Sequence, residues 1–215
     1  MEPARALRAL AWGNVALHGI GLAFAWFSMR LGSALFPLPE RMAYLAGGPP
    51  GWVWGWGLCM LCTLLLVAFM AVLRGRLPES SALARIAPLA TAAGMAVDLV
   101  CDVVQIQVLP LIAAAGPAET TLFLAAERLA FTGGATAANG LYTTGVLLMT
   151  LGLGGRVGSP AKLAGWATVA AGYAMALAGL LPSPELLALS TGPTIGFYSL
   201  WTVLVARDLG RGAGR

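Results

Sequence analysis

The sequence predicts an all-α polytopic membrane bundle of six transmembrane helices, and three observations carry that reading. Hydrophobic residues make up 59% of the 215-residue chain and charged residues 10%, against about 25% charged in an ordinary soluble domain. The apolar runs are long and repeated, each near the ~20 residues that cross a hydrocarbon core. The connections between them are short, so residues 1–215 read as a single integral membrane domain with no room for a separate soluble one.

The spans follow in order. The first, 10–33, has too long an apolar stretch for a signal peptide, whose core is about 7–15 residues. It also holds Asn14, His18 and Arg30, and no clear small-residue cleavage pattern follows Ala34. Pro37, Pro39 and Gly47-Gly48-Pro49-Pro50 bracket the first outer loop. The second span, 52–73, opens on Trp52, Trp54 and Trp56, a pattern expected of an interfacial belt rather than an aromatic ligand platform. Arg74 to Ser81 break the chain before the third span, 86–110, which contains Asp98 and Asp102. In the fourth, 129–153, Gly133-Gly134 interrupt the helix near its outer end and provide for a kink or a close backbone contact. Gly154 to Pro160 separate it from the fifth, 161–181, and Leu181-Pro182-Ser183-Pro184 turn tightly into the sixth, 186–206.

Charge orients the bundle. With the N-terminus inside, the inner segments carry ten basic residues: Arg5, Arg8, Arg74, Arg76, Arg85, Arg156, Lys162, Arg207, Arg211 and Arg215. The outer side keeps three, Arg30, Arg41 and Arg128. That asymmetry is the positive-inside pattern of a bacterial cytoplasmic membrane protein with both termini cytoplasmic. It accounts for the net charge of +4 without a nucleic-acid partner.

Polar residues inside the spans fall on stripes. Asp98, Asp102 and Gln105 share one face of the third span. Arg128, Thr132, Thr136, Asn139 and Thr143 keep helical spacing along the fourth. The first contributes Asn14 and His18, the last Thr191, Thr194, Tyr198 and Thr202. A lipid-facing surface would not be polar in this regular way, so the stripes are expected to meet inside the bundle. Asp98 then lies near the midplane and Asp102 about 6 Å further out.

An aspartate at the centre of a membrane helix costs about 3 kcal/mol or more, and such residues usually face a protein interior or wet cavity. Two neighbouring carboxylates short of positive charge do not both ionise easily. This is the arrangement of a general acid or of a protonation-linked transport step. Asp98 is the candidate acid, Asp102 the base or proton partner, and Arg128 a counter-ion and headgroup anchor, with Glu127 competing for it. Asn139, Tyr198, His18 and Gln105 are the candidate substrate-positioning groups. The bland alternative is that the aspartates bond to threonine or asparagine on a neighbouring span and hold helices together.

Other chemistries find little in the chain. His18 is the sole histidine, too few for a histidine-based metal site, and no cofactor is expected. Cys59-Met60-Leu61-Cys62 resembles the reactive pair of quinone-coupled disulfide-forming enzymes. It lies about 10 Å into its span, without a following arginine or a second exposed pair, so small apolar filler is the better reading of Cys59, Cys62 and Cys101. No phosphate-cradling glycine turn, serine elbow, HExxH or internal repeat is present.

Asn139-Gly140-Leu141-Tyr142 through Leu151-Gly152, Ser159-Pro160-Ala161-Lys162-Leu163-Ala164-Gly165, Leu181-Pro182 and Leu200-Trp201 together resemble an uncharacterised family of bacterial six-span proteins. The likeness covers about residues 130–206 and implies topology without any catalytic residue. Three functions follow as expectations: an intramembrane enzyme or binding protein for a small hydrophobic molecule (isoprenoid, quinone or lipid), an accessory subunit with a membrane-protein partner, or a proton-linked carrier.

Overall fold

The computed structural model describes residues 3–181 and 183–211, which form helices joined by short turns, with no strand among the described residues. Pro182 of the last turn and Arg215 of the basic set lie outside them, as does the side chain of Arg211. Helix α1 runs Pro3–Phe24 and continues through a π-helical segment, Ala25–Met29, and a 3-10 turn, Arg30–Gly32. A short α2, Leu38–Ala46, precedes α3, Pro50–Arg74. Helix α4 comprises Ala82–Val103, a π segment at Val104–Val108, and Leu109–Ala115. Helix α5 comprises Thr120–Phe131, a π segment at Thr132–Ala138, and Asn139–Leu153. Helices α6, Ser159–Ala178, and α7, Pro184–Arg211, complete the chain.

The punctuation acts as its chemistry requires. Pro50, Pro160 and Pro184 sit in the first turns of α3, α6 and α7, where a missing N–H costs nothing. Gly116 (φ 99°) and Gly154 (φ 53°) end α4 and α5 in backbone conformations that a side chain resists. The six predicted segments fall on α1 and α3 to α7, but α1 begins seven residues and α5 nine residues earlier than expected. Helix α2 was expected as loop; it is a short amphipathic helix of nine residues pinned by the buried Arg41, Met42 and Leu45.

Among the described residues three helices, Ala4–Met29, Pro50–Arg74 and Ala82–Ala115, are long and apolar enough to cross a membrane. In α5 to α7, threonine, glycine and alanine dilute the leucine and valine, and those small residues set the packing. A Cβ added at Gly94 would come 2.8 Å from the Ala138 carbonyl, so α4 and α5 touch backbone to backbone there. Gly165 and Gly172 of α6 and Gly179, which caps it, recur every seven residues and face Thr150, Thr143 and Thr136 of α5, which recur with the same spacing. Two antiparallel helices therefore share a hydroxyl-to-glycine seam.

Hydrogen bonds align the ends. The Arg76 guanidinium donates to Leu209 O and the Gly158 N–H to Asp208, gathering the α3–α4 and α5–α6 turns with the C-terminal part of α7 at one end of the bundle. Tyr44 donates to Ser28 O, and Arg41 pairs with Glu127, at the opposite α2 end. Two apolar clusters fill the core. One is built on Leu7, Phe69, Met149 and Trp201 towards the terminal end; the other on Met29, Leu45, Trp52, Leu109 and Phe123 towards α2. Between the two clusters on α1, α3, α4 and α5 lie Asn14, Thr63, Asp98, Asp102 and Tyr142.

Candidate functional site

Helical spacing puts Asp98 and Asp102 one turn apart on α4, facing α3 and the π segment of α5. Asp102 is 1% exposed, and its Oδ2 is buried with no hydrogen-bond partner. Asp98 is half-buried and accepts a 3.1 Å hydrogen bond from the Tyr142 hydroxyl of α5, with Thr63 of α3 beside the same phenol. Gly133 and Gly134 let the α5 backbone pass close over this face. Added Cβ atoms there would lie 2.5 Å from Cys101 Sγ and 3.4 Å from Asp98 Oδ1. Cys59 and Cys62 of α3 flank the aspartates and, with Cys101, are free thiols. Among the described residues no three histidine, cysteine or acidic side chains group as metal ligands.

The backbone next to the pair is irregular for a reason written in the sequence. Pro110 has no N–H, and its ring clashes with the carbonyl four residues back, so α4 widens at Val104–Val108 and the Leu109 N–H reaches Val104 O. Gln105 O thereby loses Leu109, its α-helical donor, and the next donor along would be Pro110 itself. The Trp52 indole N–H of α3 fills the vacancy at 2.7 Å. The Gln105 side chain stays buried at 1% exposure, with its Oε1 unpartnered. Trp56, packed edge-on against Trp52 at 5.7 Å, also has an indole N–H without an acceptor. Buried polar groups are nearly always satisfied; Asp102, Gln105 and Trp56 depart from that here, as Thr150 Oγ1 and Trp201 Nε1 do beside Gly165.

The other predicted site residues are placed elsewhere. The Asn139 amide donates to Gly172 O at 2.7 Å and the Thr136 hydroxyl to Ala176 O at 2.9 Å, while Thr143 packs on Gly172. Most of the α5 stripe is thus spent on α6 and not on the aspartates. His18 and Tyr198 join Asn14 in a separate cluster: the Tyr198 hydroxyl donates to Asn14 Oδ1 at 3.3 Å, and His18 Nδ1 lies 2.8 Å from Asn14 O. Thr191, Thr194 and Thr202 bond carbonyls of their own helix. Arg128 is exposed, so it does not face the buried pair. The buried ion pair of the α2 end is Arg41–Glu127, 2.7 Å long with side chains 7% and 8% exposed, and it uses the acid next to Arg128. Trp52 is a core residue at 2% exposure, whereas Trp54, at 70%, keeps the outward position expected of a belt.

Tyr142 and Thr63 escaped the sequence reading. Tyr142 lies one position off the threonine stripe, which turns it by about 100° from α6 towards α4. Nothing local to it signals an acidic partner 44 residues earlier. Outside the spans, burial raises the Tyr44 phenol above its usual range, which keeps it a neutral donor to Ser28 O.

No family model, curated protein or solved structure matches the chain. The functional reading therefore rests on this geometry.

Proposed function

We propose that the chain is a multi-pass protein of a bacterial cytoplasmic membrane that binds a small hydrophobic molecule by its polar end and exchanges a proton with it at Asp98 and Asp102. The observation that carries this reading is the buried Asp102 carboxyl oxygen to which no group among the described residues donates. An uncompensated charge there would be costly, so the group calls for a proton or a ligand donor. With Gln105 Oε1 and Trp56 Nε1 also unpartnered, the complementary end of the ligand is a hydroxyl, which donates to Gln105 Oε1 and accepts from a protonated Asp102 and from the indole, or a primary amine, which donates to both oxygens and offers its lone pair to the indole. Asp98, held by Tyr142, is the second seat for the proton. An isoprenoid alcohol, a quinol or a lipid fits that description.

Six spans with both termini cytoplasmic complete the proposal. Its support is the ten-to-three distribution of basic residues and the hydrogen bonds that gather Arg76, Gly158 and Asp208 at one end. The test is to extract hydrophobic molecules that copurify with the full chain and with Asp102→Asn, and to compare them by mass spectrometry. A hydroxyl- or amine-bearing compound retained by the unchanged chain and lost from the variant is expected. Identical extracts would sink the reading. An Asp102-dependent proton flux in proteoliposomes would assign a carrier instead.

A second reading, an accessory subunit, has its own support. The bonds of Thr136 and Asn139 to α6 are those of a helix-packing device. It predicts that Asp102→Asn alters neither extract nor flux.

A further inference from the structure

A cleft of about 400 Å³ opens between α1 and α7 at the terminal end of the bundle, within the usual size range of small-molecule sites. Its floor is Ala11, Val203 and Ala206, and its rim carries Arg8, Arg207 and Trp12. Among the described residues no acidic side chain lines it. Arg8 is exposed and has no ion-pair partner among the described residues. Arg207 is braced: its Nε and Nη2 donate to Asp208 Oδ1 at 3.1 and 3.0 Å, while Asp208 Oδ2 accepts the Gly158 N–H at 2.9 Å. That carboxylate holds the guanidinium beside the cleft and leaves its Nη1 uncommitted. Trp12 lies one turn along α1 from Arg8 and is 61% exposed, a placement typical of an indole at the headgroup boundary.

We infer that this cleft binds the phosphodiester headgroup of an anionic phospholipid. Arg8 and Arg207 meet the phosphate oxygens, the Trp12 indole lies at the glycerol level, and the apolar floor follows the start of an acyl chain. The fork geometry of guanidinium suits phosphate; with Arg207 balanced by Asp208, the exposed Arg8 gives the cleft its net positive charge, which favours an anionic over a zwitterionic lipid. The inference rests on the membrane placement above and is independent of the chemistry at Asp102.

The experiment uses the full chain in detergent, titrated with phosphatidylglycerol, phosphatidylcholine or inorganic phosphate and read by native mass spectrometry. Phosphatidylglycerol is expected to bind at least tenfold more tightly than phosphatidylcholine. Arg8→Gln should weaken it about five- to tenfold, from roughly 1 kcal/mol per arginine at a membrane surface. Arg85→Gln, an exposed basic residue outside the cleft, should leave it unchanged. Because Arg8 holds no internal contact of its own, its variant tests the site without disturbing the Asp208 brace. Equal retention of the two lipids, equal effects of the two variants, or competition by inorganic phosphate at the lipid's concentration would each overturn the assignment. Asp102→Asn should bind phosphatidylglycerol as the unchanged chain does, which separates this result from the proposed function.

Discussion

Trp52→Phe should be destabilising chiefly because of a proline on another helix. The indole N–H is the only donor to Gln105 O that the described hydrogen bonds provide, since Leu109 bonds Val104 and Pro110 has no N–H. Phenylalanine would leave that carbonyl buried and unsatisfied, at about 1–3 kcal/mol, and would add a packing loss for the smaller ring, giving about 2–4 kcal/mol in all. Trp52 is 2% exposed and Gln105 1%, so water cannot step in cheaply. Pro110→Ala restores an N–H and removes the ring clash, allowing the helix to satisfy Gln105 O from its own backbone. In that background Trp52→Phe should cost about 1–3 kcal/mol less. The contacts of Trp52 with Tyr44 and Trp56 are lost in both backgrounds and cancel in the cycle. The assay is reversible unfolding in mixed micelles for the four chains. Additivity within about 0.5 kcal/mol would refute the capping argument.

Asp102→Asn should leave stability unchanged or raise it slightly, since the carboxyl oxygen it replaces has no partner to lose; a loss above about 2 kcal/mol would reveal a hidden bond. Gly94→Ala drives a Cβ to 2.8 Å from a backbone carbonyl that cannot swing aside, so a cost of about 1–3 kcal/mol is expected. Gly57→Ala meets nothing within 4 Å and should stay within about 0.5 kcal/mol in the same unfolding assay. Arg41→Met strands the Glu127 carboxylate in a buried site and should cost about 3–5 kcal/mol, most of it recovered when Glu127→Leu is added. Cys62 and Cys101, 6% and 8% exposed, should resist maleimide in the folded chain and react on unfolding; rapid labelling of either would contradict its burial.

The fold was legible because helix positions in this chain are decided locally. Apolar runs of spanning length, with proline and glycine between them, place α1 and α3 to α7 without reference to any partner. Gly133-Gly134 announced a disturbance in α5, and a π segment with close contacts to Cys101 and Asp98 lies there. Pro110 carried the same kind of signal for α4, but its consequence, a carbonyl needing a donor from α3, depends on which helix stands opposite.

The polar stripes illustrate the division most clearly. Spacing alone brought Asp98, Asp102 and Gln105 onto one face, because a single helix enforces that geometry. Spacing could not say that Asn139 and Thr136 bond α6, that Tyr198 turns to Asn14, or that Tyr142 donates to Asp98. Each of those is a choice among neighbouring helices, made by the close approach that glycines such as Gly94 and Gly172 permit and by the bonding left over at a π segment. The sequence by itself determined the six long helices and the acid pair. Tertiary structure decided which polar groups satisfied one another and left the buried Asp102 oxygen without a partner, because hydrogen bonds between helices depend on rotation and distance that no one-dimensional pattern encodes.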